Sequence, residues 1–238
     1  MASPSATRIR GIVFDMDGTL CKPQNHMFGE MRNALSIGKE IDILDHVYAL
    51  PTEDQQKEAH EKIQAIERKA MTEQEPQPGL VELMEWCDRG RLRRGICTRN
   101  FDTPVTHLIA THIPPHLNPF DPIVTREFRP PKPSPEGIWH IARSWDIQIP
   151  PTSNASTIPN PGSYRSSRPP QIPVLMVGDS IDDIIAGYEA GATTVLVESE
   201  GKEELKEDAR VDVVVSRLDE IICLFESGKF KVDGVQEV

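Results

Sequence analysis

Residues 11–20, GIVFDMDGTL, join a run of apolar residues to a turn that carries two carboxylates. Residues 11–14 show no alternation of polar and apolar side chains, which is typical of a strand buried on both faces of a parallel sheet. Asp15 and Asp17 follow directly, and Gly18 indicates a turn. A buried strand that ends in two acidic residues predicts a ligand site at the carboxyl edge of the sheet.

Short apolar runs of strand length recur along the rest of the chain, with helical patterns between them. The predicted strands are 8–15, 93–98, 122–125, 174–179, 193–197 and 212–215. The predicted helices of this part are 79–90, 134–145, 180–191 and 217–228. Alternating strands and helices predict an α/β fold with a mainly parallel sheet flanked by helices.

Two segments depart from this alternation. Residues 21–78 contain no strand-like run and are rich in Glu, Gln, Lys, Met and Leu, which predicts a small cap of two or three helices. The core then comprises residues 1–20 and 79–238. Within it, residues 149–173 are rich in Pro, Ser and Asn, which predicts a long surface loop, either a tolerated insertion or a partner-binding segment.

Composition excludes several classes of partner. The 238 residues carry a formal net charge of −11 and no cluster of five Lys or Arg, which argues against nucleic acid and anionic membranes as partners. The four cysteines form no CxxC pair, and no apolar stretch is long enough to span a bilayer. We therefore expect a cytoplasmic protein, with the nucleus as the alternative, and leave monomer or dimer open.

Polar side chains also follow the other predicted strands. Thr98, Arg99 and Asn100 end the second strand, and the segment GDSIDD, residues 178–183, ends the fourth. Lys132 lies between prolines just before a predicted helix. Carboxylates gathered at one sheet edge repel one another unless a cation lies between them, and all-oxygen ligands suit Mg²⁺. A metal, a lysine and a hydroxyl together would receive a dianionic phosphate.

The segments DMDGT, Thr98, KPSPE and GDSIDD resemble, in order, the four motifs of the haloacid dehalogenase (HAD) superfamily. The match spans about residues 9–200, apart from the loop 149–173. The helical insertion after the first strand resembles the type-1 cap of the phosphoglycolate-phosphatase-like branch. The resemblance implies a Rossmann-like core with a central first strand and a Mg²⁺-dependent aspartyl-phosphate mechanism.

The resemblance assigns a role to each matching residue. Asp15 resembles the nucleophile and a metal ligand. Asp17 resembles the general acid/base, with the adjoining backbone supplying a metal-binding carbonyl. Thr98 resembles the phosphate-binding hydroxyl, Lys132 the cation beside the nucleophile, and Asp179 the acidic metal ligand.

The second acidic residue near the metal has two candidates. Asp183 lies four residues after Asp179, the spacing found in phosphoglycolate-phosphatase-like members, and Asp182 competes at spacing three. Arg99 departs from the small residue more usual after Thr98, and it is either a substrate contact, together with Asn100, or a solvated side chain.

Asp17 favours phosphoester cleavage over dehalogenation, because an alkoxide leaving group needs a proton and a halide does not. The expected function is a Mg²⁺-dependent phosphatase acting on a small phosphorylated metabolite. A phosphomutase of the same family and a non-catalytic regulatory or binding protein on the same scaffold are the alternatives. Substrate specificity is expected from the cap, with candidates Asn25, His26, Met27 and Arg32.

Overall fold

A six-stranded parallel sheet forms the centre of the computed structural model, which describes residues 7–150 and 168–232. Its strands are β2 (Gly11–Phe14), β3 (Arg93–Cys97), β4 (Ile123–Val124), β5 (Val174–Gly178), β6 (Thr193–Val197) and β7 (Val213–Val215). Their order is β4-β3-β2-β5-β6-β7, and all five pairings are parallel. β2 therefore lies in the interior of the sheet, between β3 and β5.

Helices cover both faces of this sheet. They are α4 (Leu80–Arg89), α5 (Asp102–His112), α6 (Glu136–Ser144), α7 (Ile181–Ala190) and α8 (Glu220–Glu226). One hydrophobic cluster joins the sheet to α4, α5 and α8, and a second joins it to α6 and α7. This arrangement confirms the predicted α/β class with a Rossmann-like core.

The apolar residues of β2 are continuous because both faces of this strand are buried. Successive side chains of a strand point to opposite faces. Ile12 and Phe14 therefore pack in the cluster with α4 and α8, whereas Val13 packs in the cluster with α6 and α7. All three side chains are fully buried.

The predicted strand 8–15 is two strands that belong to different sheets. β1 (Thr7–Ile9) pairs in parallel with β8 (Phe230–Val232) and forms a separate two-stranded sheet. The chain bends at Arg10, whose main-chain N–H donates to Pro173 O. Its guanidinium donates to the carbonyls that follow α6. The prediction missed this break because it joined Ile9 to the apolar residues 11–14 across Arg10, although β1 itself, Thr-Arg-Ile, has only one buried side chain.

The other predicted strands and helices lie within a few residues of the observed ones. Helix α5 was not predicted, because its Thr, Pro and His content weakens its apolar face. A 3₁₀ helix at Glu203–Glu207 was not predicted either.

Three helices follow β2, namely α1 (Asn25–Leu35), α2 (Ile43–Tyr48) and α3 (Glu53–Met71). They form their own hydrophobic cluster, in which Ile63 is almost completely buried. Residues 20–22 and 75–77, which connect these helices to the core, lie side by side. Lys22 N–H donates to Glu75 O, and Gln77 N–H donates to Leu20 O. The proposed cap limits, 21 and 78, stay a prediction.

Most of the predicted surface loop 149–173 lies outside the described residues. Of its described part, Arg168 pairs with Asp212 across both carboxylate oxygens, and Ile172 is buried in the core. Within residues 7–150 and 168–232, no helix has the length and apolar character needed to cross a membrane.

Trp145 packs edge-on against the backbone of two strands. A Cβ added at Gly11 would lie 2.3 Å from a Trp145 ring carbon, and one added at Gly95 would lie 3.1 Å from another. The ring is fixed further because its Nε1 donates to Asp121 O at 2.8 Å. The tryptophan therefore fills the space that two glycines leave open.

We expect Gly11→Ala to lower the free energy of unfolding by about 1–3 kcal/mol, because the added methyl overlaps a ring that cannot move away. The matched control is Gly29→Ala on α1, where a Cβ would meet nothing within 4 Å. That change should raise stability by about 0.5–1 kcal/mol, as alanine favours helix. Urea unfolding of both variants checks the prediction, and equal effects would contradict it.

Candidate functional site

The turn after β2 places two acidic residues at the carboxyl edge of the sheet. The main-chain N–H of Asp15 donates to Val177 O and so extends the pairing with β5. Gly18 then turns the chain with φ +84°. A Cβ there would lie 2.2 Å from Asp179 Oδ2, so a side chain at this position would displace the Asp179 carboxylate.

Three buried carboxylates meet at this edge. Asp15, Asp179 and Asp183 each offer an oxygen, and these oxygens lie within 4.8 Å of one another. Lys132 Nζ donates to Asp15 Oδ1 at 2.6 Å and to Asp183 Oδ1 at 2.5 Å. Burial opposes the charge on Lys132, but the Asp15 and Asp183 carboxylates raise its pKa above the usual range. Lys132 is therefore held as an ammonium ion.

Two ammonium groups, Lys132 and the Lys202 side chain that donates to Asp179 Oδ2, do not balance three carboxylates. Burial, together with repulsion by Asp183, raises the pKa of Asp15 well above its usual value. Burial also raises the pKa of Asp179, against the attraction of Lys202. Such a buried excess of negative charge fits a divalent cation with oxygen ligands. Asp15 and Asp179 are the residues that would hold Mg²⁺.

The two candidates for the second acidic residue lie in different places. Asp183 belongs to the carboxylate cluster, and its other oxygen accepts from Ser180 N and Oγ in a capping box at the start of α7. Asp182 instead accepts from Arg99 Nη1 at 2.8 Å. The spacing-four candidate is thus the one beside Lys132. Asp17 lies outside the cluster, and its predicted main-chain carbonyl ligand stays a prediction.

Asp17 has a partner of its own. Asn100 Nδ2 donates to Asp17 Oδ2 at 2.6 Å, and the Asn100 main-chain N–H donates to Thr98 Oγ1 at 3.2 Å. Burial raises the pKa of Asp17, although the bond from Asn100 opposes this rise. Asn100, predicted as a substrate contact, therefore orients Asp17, and Thr98 lies on the same loop.

Arg99 joins the core to the helices that follow β2. Its Nη2 donates to both carboxylate oxygens of Asp42, at 2.9 and 2.8 Å, while its Nη1 donates to Asp182. Asp42 is the N-cap of α2 and also accepts from Leu44 N and Asp45 N. The predicted contact of Arg99 with substrate stays a prediction, but two carboxylates already neutralise its charge.

A second arginine makes a similar link. Arg126, just after β4, donates to Glu67 on α3 through Nη2 and to Arg99 O through Nε. Both ion-pair side chains are 3% exposed. Burial raises the pKa of Glu67 to about 7, although Arg126 opposes this rise.

These residues surround one cavity of about 320 Å³ between the sheet edge and helices α1–α3. Every predicted catalytic, substrate-binding and metal residue lines it: Asp15, Asp17, Thr98, Arg99, Asn100, Lys132, Asp179 and Asp183. Of the predicted specificity residues, Arg32 lines the cavity, whereas Met27 packs inside the helical cluster and His26 faces Glu73. Asn25 begins α1.

Sequence reasoning missed three charged residues of this region. Lys202 donates to Asp179 Oδ2 at 2.5 Å, Arg126 pairs with Glu67, and Glu67 lines the cavity. Arg126 and Lys202 follow β4 and β6, so the rule that ligands bind at strand ends could have found both. Glu67 carried no such signal, because it is one of many acidic residues on α3.

Comparison with known proteins identifies the family. The chain is 44% identical over 222 residues to the uncharacterized hydrolase YOR131C of Saccharomyces cerevisiae, covering 92% of each chain. It is 35% identical over 217 residues to the haloacid dehalogenase-like hydrolase domain-containing protein At2g33255 of Arabidopsis thaliana, covering 85% of this chain and 76% of that protein. The chain belongs to the haloacid dehalogenase-like hydrolase family.

Two further comparisons agree with this HAD-like assignment. The HAD-hydrolase-like family model matches residues 159–221. A hydrolase from Pseudomonas syringae has the same fold, with a TM-score of 0.66 and 22% identity, over 91% of this chain and 98% of that one. The family resemblance predicted from the four motifs is thereby confirmed.

We expect Arg99→Met to loosen the docking of α2, because it removes charge-assisted bonds to Asp42 and Asp182. Amide hydrogen exchange in Ile43–Tyr48 should become about tenfold faster or more, corresponding to a loss of about 1.4 kcal/mol or more. The control is Arg89→Met on α4, whose side chain is 69% exposed and pairs within its own helix. Unchanged exchange in α2 would contradict this role.

Glu67 should make stability depend on pH. Its pKa is about 7 when folded and 4.5 in the reference state, so its contribution is fully present below pH 4.5 and is lost as pH rises through 7. The stability of the native protein relative to Glu67→Gln should therefore fall by roughly 3 kcal/mol over this window. Urea unfolding of both proteins at several pH values measures the difference, and a constant difference would contradict it.

Proposed function

We propose that this HAD-like hydrolase is a Mg²⁺-dependent phosphatase that cleaves a small phosphomonoester through a phospho-aspartyl intermediate on Asp15. One observation carries the proposal. Asp15 lies at a strand end, bonded to a buried ammonium, while Asp17, two residues on, lines the same cavity and is oriented by Asn100. A nucleophile and a separate proton donor are what ester cleavage needs.

In the first step an Asp15 carboxylate oxygen attacks phosphorus, and the bond from phosphorus to the leaving alcohol's oxygen breaks. Protonated Asp17 gives its proton to that oxygen, so the alcohol leaves neutral. Lys132 and the Thr98 hydroxyl would bond the phosphoryl oxygens, whose charge must be offset while Asp15 approaches.

In the second step the Asp17 carboxylate takes a proton from water, and the water oxygen attacks phosphorus. The bond between phosphorus and Asp15 breaks, which releases inorganic phosphate and restores the Asp15 carboxylate. Bound Mg²⁺ would supply charge neutralisation for the phosphoryl oxygens. Asp15 and Asp179 would hold it.

Mutase chemistry is the less supported alternative. A phosphomutase must bind a bisphosphorylated intermediate and therefore needs cations free for a second phosphate. Of the four described cations that line the cavity, Arg99, Lys132 and Lys202 already face carboxylates, and Arg32, which donates to Phe28 O, is the exception. This pairing favours a substrate with one phosphate.

Phosphate release from a panel of small phosphomonoesters with Mg²⁺ tests the proposal. We expect Asp15→Asn to lower kcat by about 10³-fold or more, because the amide cannot form the intermediate. The control Asp54→Asn, an exposed carboxylate on α3, should match the native enzyme. EDTA should abolish activity, and added Mg²⁺ should restore it.

Equal phosphate release by Asp15→Asn would contradict the mechanism. Transfer of the phosphoryl group to a second hydroxyl, with little free phosphate, would indicate a mutase. No release from any ester would favour a non-catalytic protein.

A further inference from the structure

The wall of the cavity that helices α1–α3 form combines carbon surface with one buried carboxylate. The apolar lining residues from helices α1–α3 are Phe28, Met31, Ile43, Leu44 and Ile63, and Pro23 before α1 adds to them. Glu67, also on α3, lines the cavity with them and is 3% exposed. The leaving group of a phosphoester held at Asp15 would lie against this wall.

Glu67 uses only one of its two oxygens. Oε1 accepts from Arg126 Nη2, whereas Oε2, like Nη1 of Arg126, is buried and has no hydrogen-bond partner in the described part of the chain. A buried carboxylate oxygen without a donor costs free energy, so a ligand that supplies one gains affinity. The raised pKa of Glu67 has the same physical origin, since burial is its largest cause.

The surrounding charges decide what kind of donor fits. Asp17 also acts on Glu67, because its negative charge contributes to the raised pKa of Glu67. The Asp17 carboxylate disfavours a second anionic group near the leaving group, whereas Arg126 offsets the charge of Glu67. Arg32 lines the same cavity, and its buried Nε has no partner among the described residues. A hydroxyl can donate to Glu67, and a neighbouring hydroxyl can accept from Arg32.

We infer that Glu67 is a specificity-determining residue, whose Oε2 accepts a hydrogen bond from a hydroxyl of the leaving alcohol. The preferred substrates are then phosphate monoesters of small, neutral polyhydroxy alcohols. This inference rests on the proposed phosphatase function. The cavity of about 320 Å³ has room for a phosphate and a short carbon chain.

Three esters of similar size separate the effect of a hydroxyl donor on the leaving group from the effects of its chain length and its negative charge. Glycerol 3-phosphate carries hydroxyl donors, propyl phosphate has the same chain length without them, and 2-phosphoglycolate carries a carboxylate. The native enzyme should show kcat/KM about 10- to 100-fold higher for glycerol 3-phosphate than for propyl phosphate, the range expected for a hydrogen bond to a charged group. It should also disfavour 2-phosphoglycolate.

Variants at position 67 then test the residue itself. Glu67→Leu should bring the glycerol-to-propyl ratio close to one, mainly by raising KM for glycerol 3-phosphate. Glu67→Gln can keep an oxygen towards Arg126 and turn its amide NH₂ to the cavity, so 2-phosphoglycolate should gain relative to glycerol 3-phosphate. The control Glu61→Gln, exposed on the same helix, should leave all ratios unchanged.

The outcomes separate this inference from the phosphatase proposal. A native enzyme that hydrolyses all three esters equally, or a Glu67→Leu change that lowers all three alike, overturns the inference and leaves the phosphatase standing. If no ester is hydrolysed, calorimetric binding of glycerol 3-phosphate and propyl phosphate with Mg²⁺ decides instead. A preference for glycerol 3-phosphate that Glu67→Leu removes supports the inference, and equal or undetectable binding overturns it.

Discussion

Lys132 places its ammonium group between the carboxylates of Asp15 and Asp183, and the arrangement of the site depends on this contact. Buried carboxylates this close cannot all stay charged without a cation beside them. The lysine comes from the loop before α6, Asp15 from the end of β2, and Asp183 from the first turn of α7. One ion-pair cluster therefore fixes three separate segments at the sheet edge, and Asp179, which pairs with Lys202, lies beside it.

Much of the sheet and of the candidate site could be predicted from the sequence, because strong local patterns agree with the fold. The run 11–14 needed two buried faces, and only an interior strand provides them. The acidic and polar residues after β2, β3 and β5 then had to meet, since parallel strands end at one edge. Gly18 was visible as a turn residue, but its close approach to the Asp179 carboxylate required coordinates.

The remaining features depend on long-range contacts that leave no local pattern. Arg10 separates β1 from β2 and bonds to segments far along the chain, and the sequence around it does not indicate these contacts. Glu67 is one acid among many on α3, and its burial follows from how the helices dock on the core. Arg99 looked available to a substrate anion, yet docking brings Asp42 against it. The groups that these three side chains contact, rather than their residue types, determine what each one does in the fold.

The interior position of β2 also has a consequence for how the protein is made. The strand that precedes Asp15 is synthesised about 160 residues before its neighbour β5. Asp179 and Asp183 arrive later still, after Lys132. A nascent chain thus holds Asp15 long before it holds the acidic partners that complete the cluster. Domains acquire structure as units during synthesis, so the carboxylate cluster can form only after Asp183 has been synthesised.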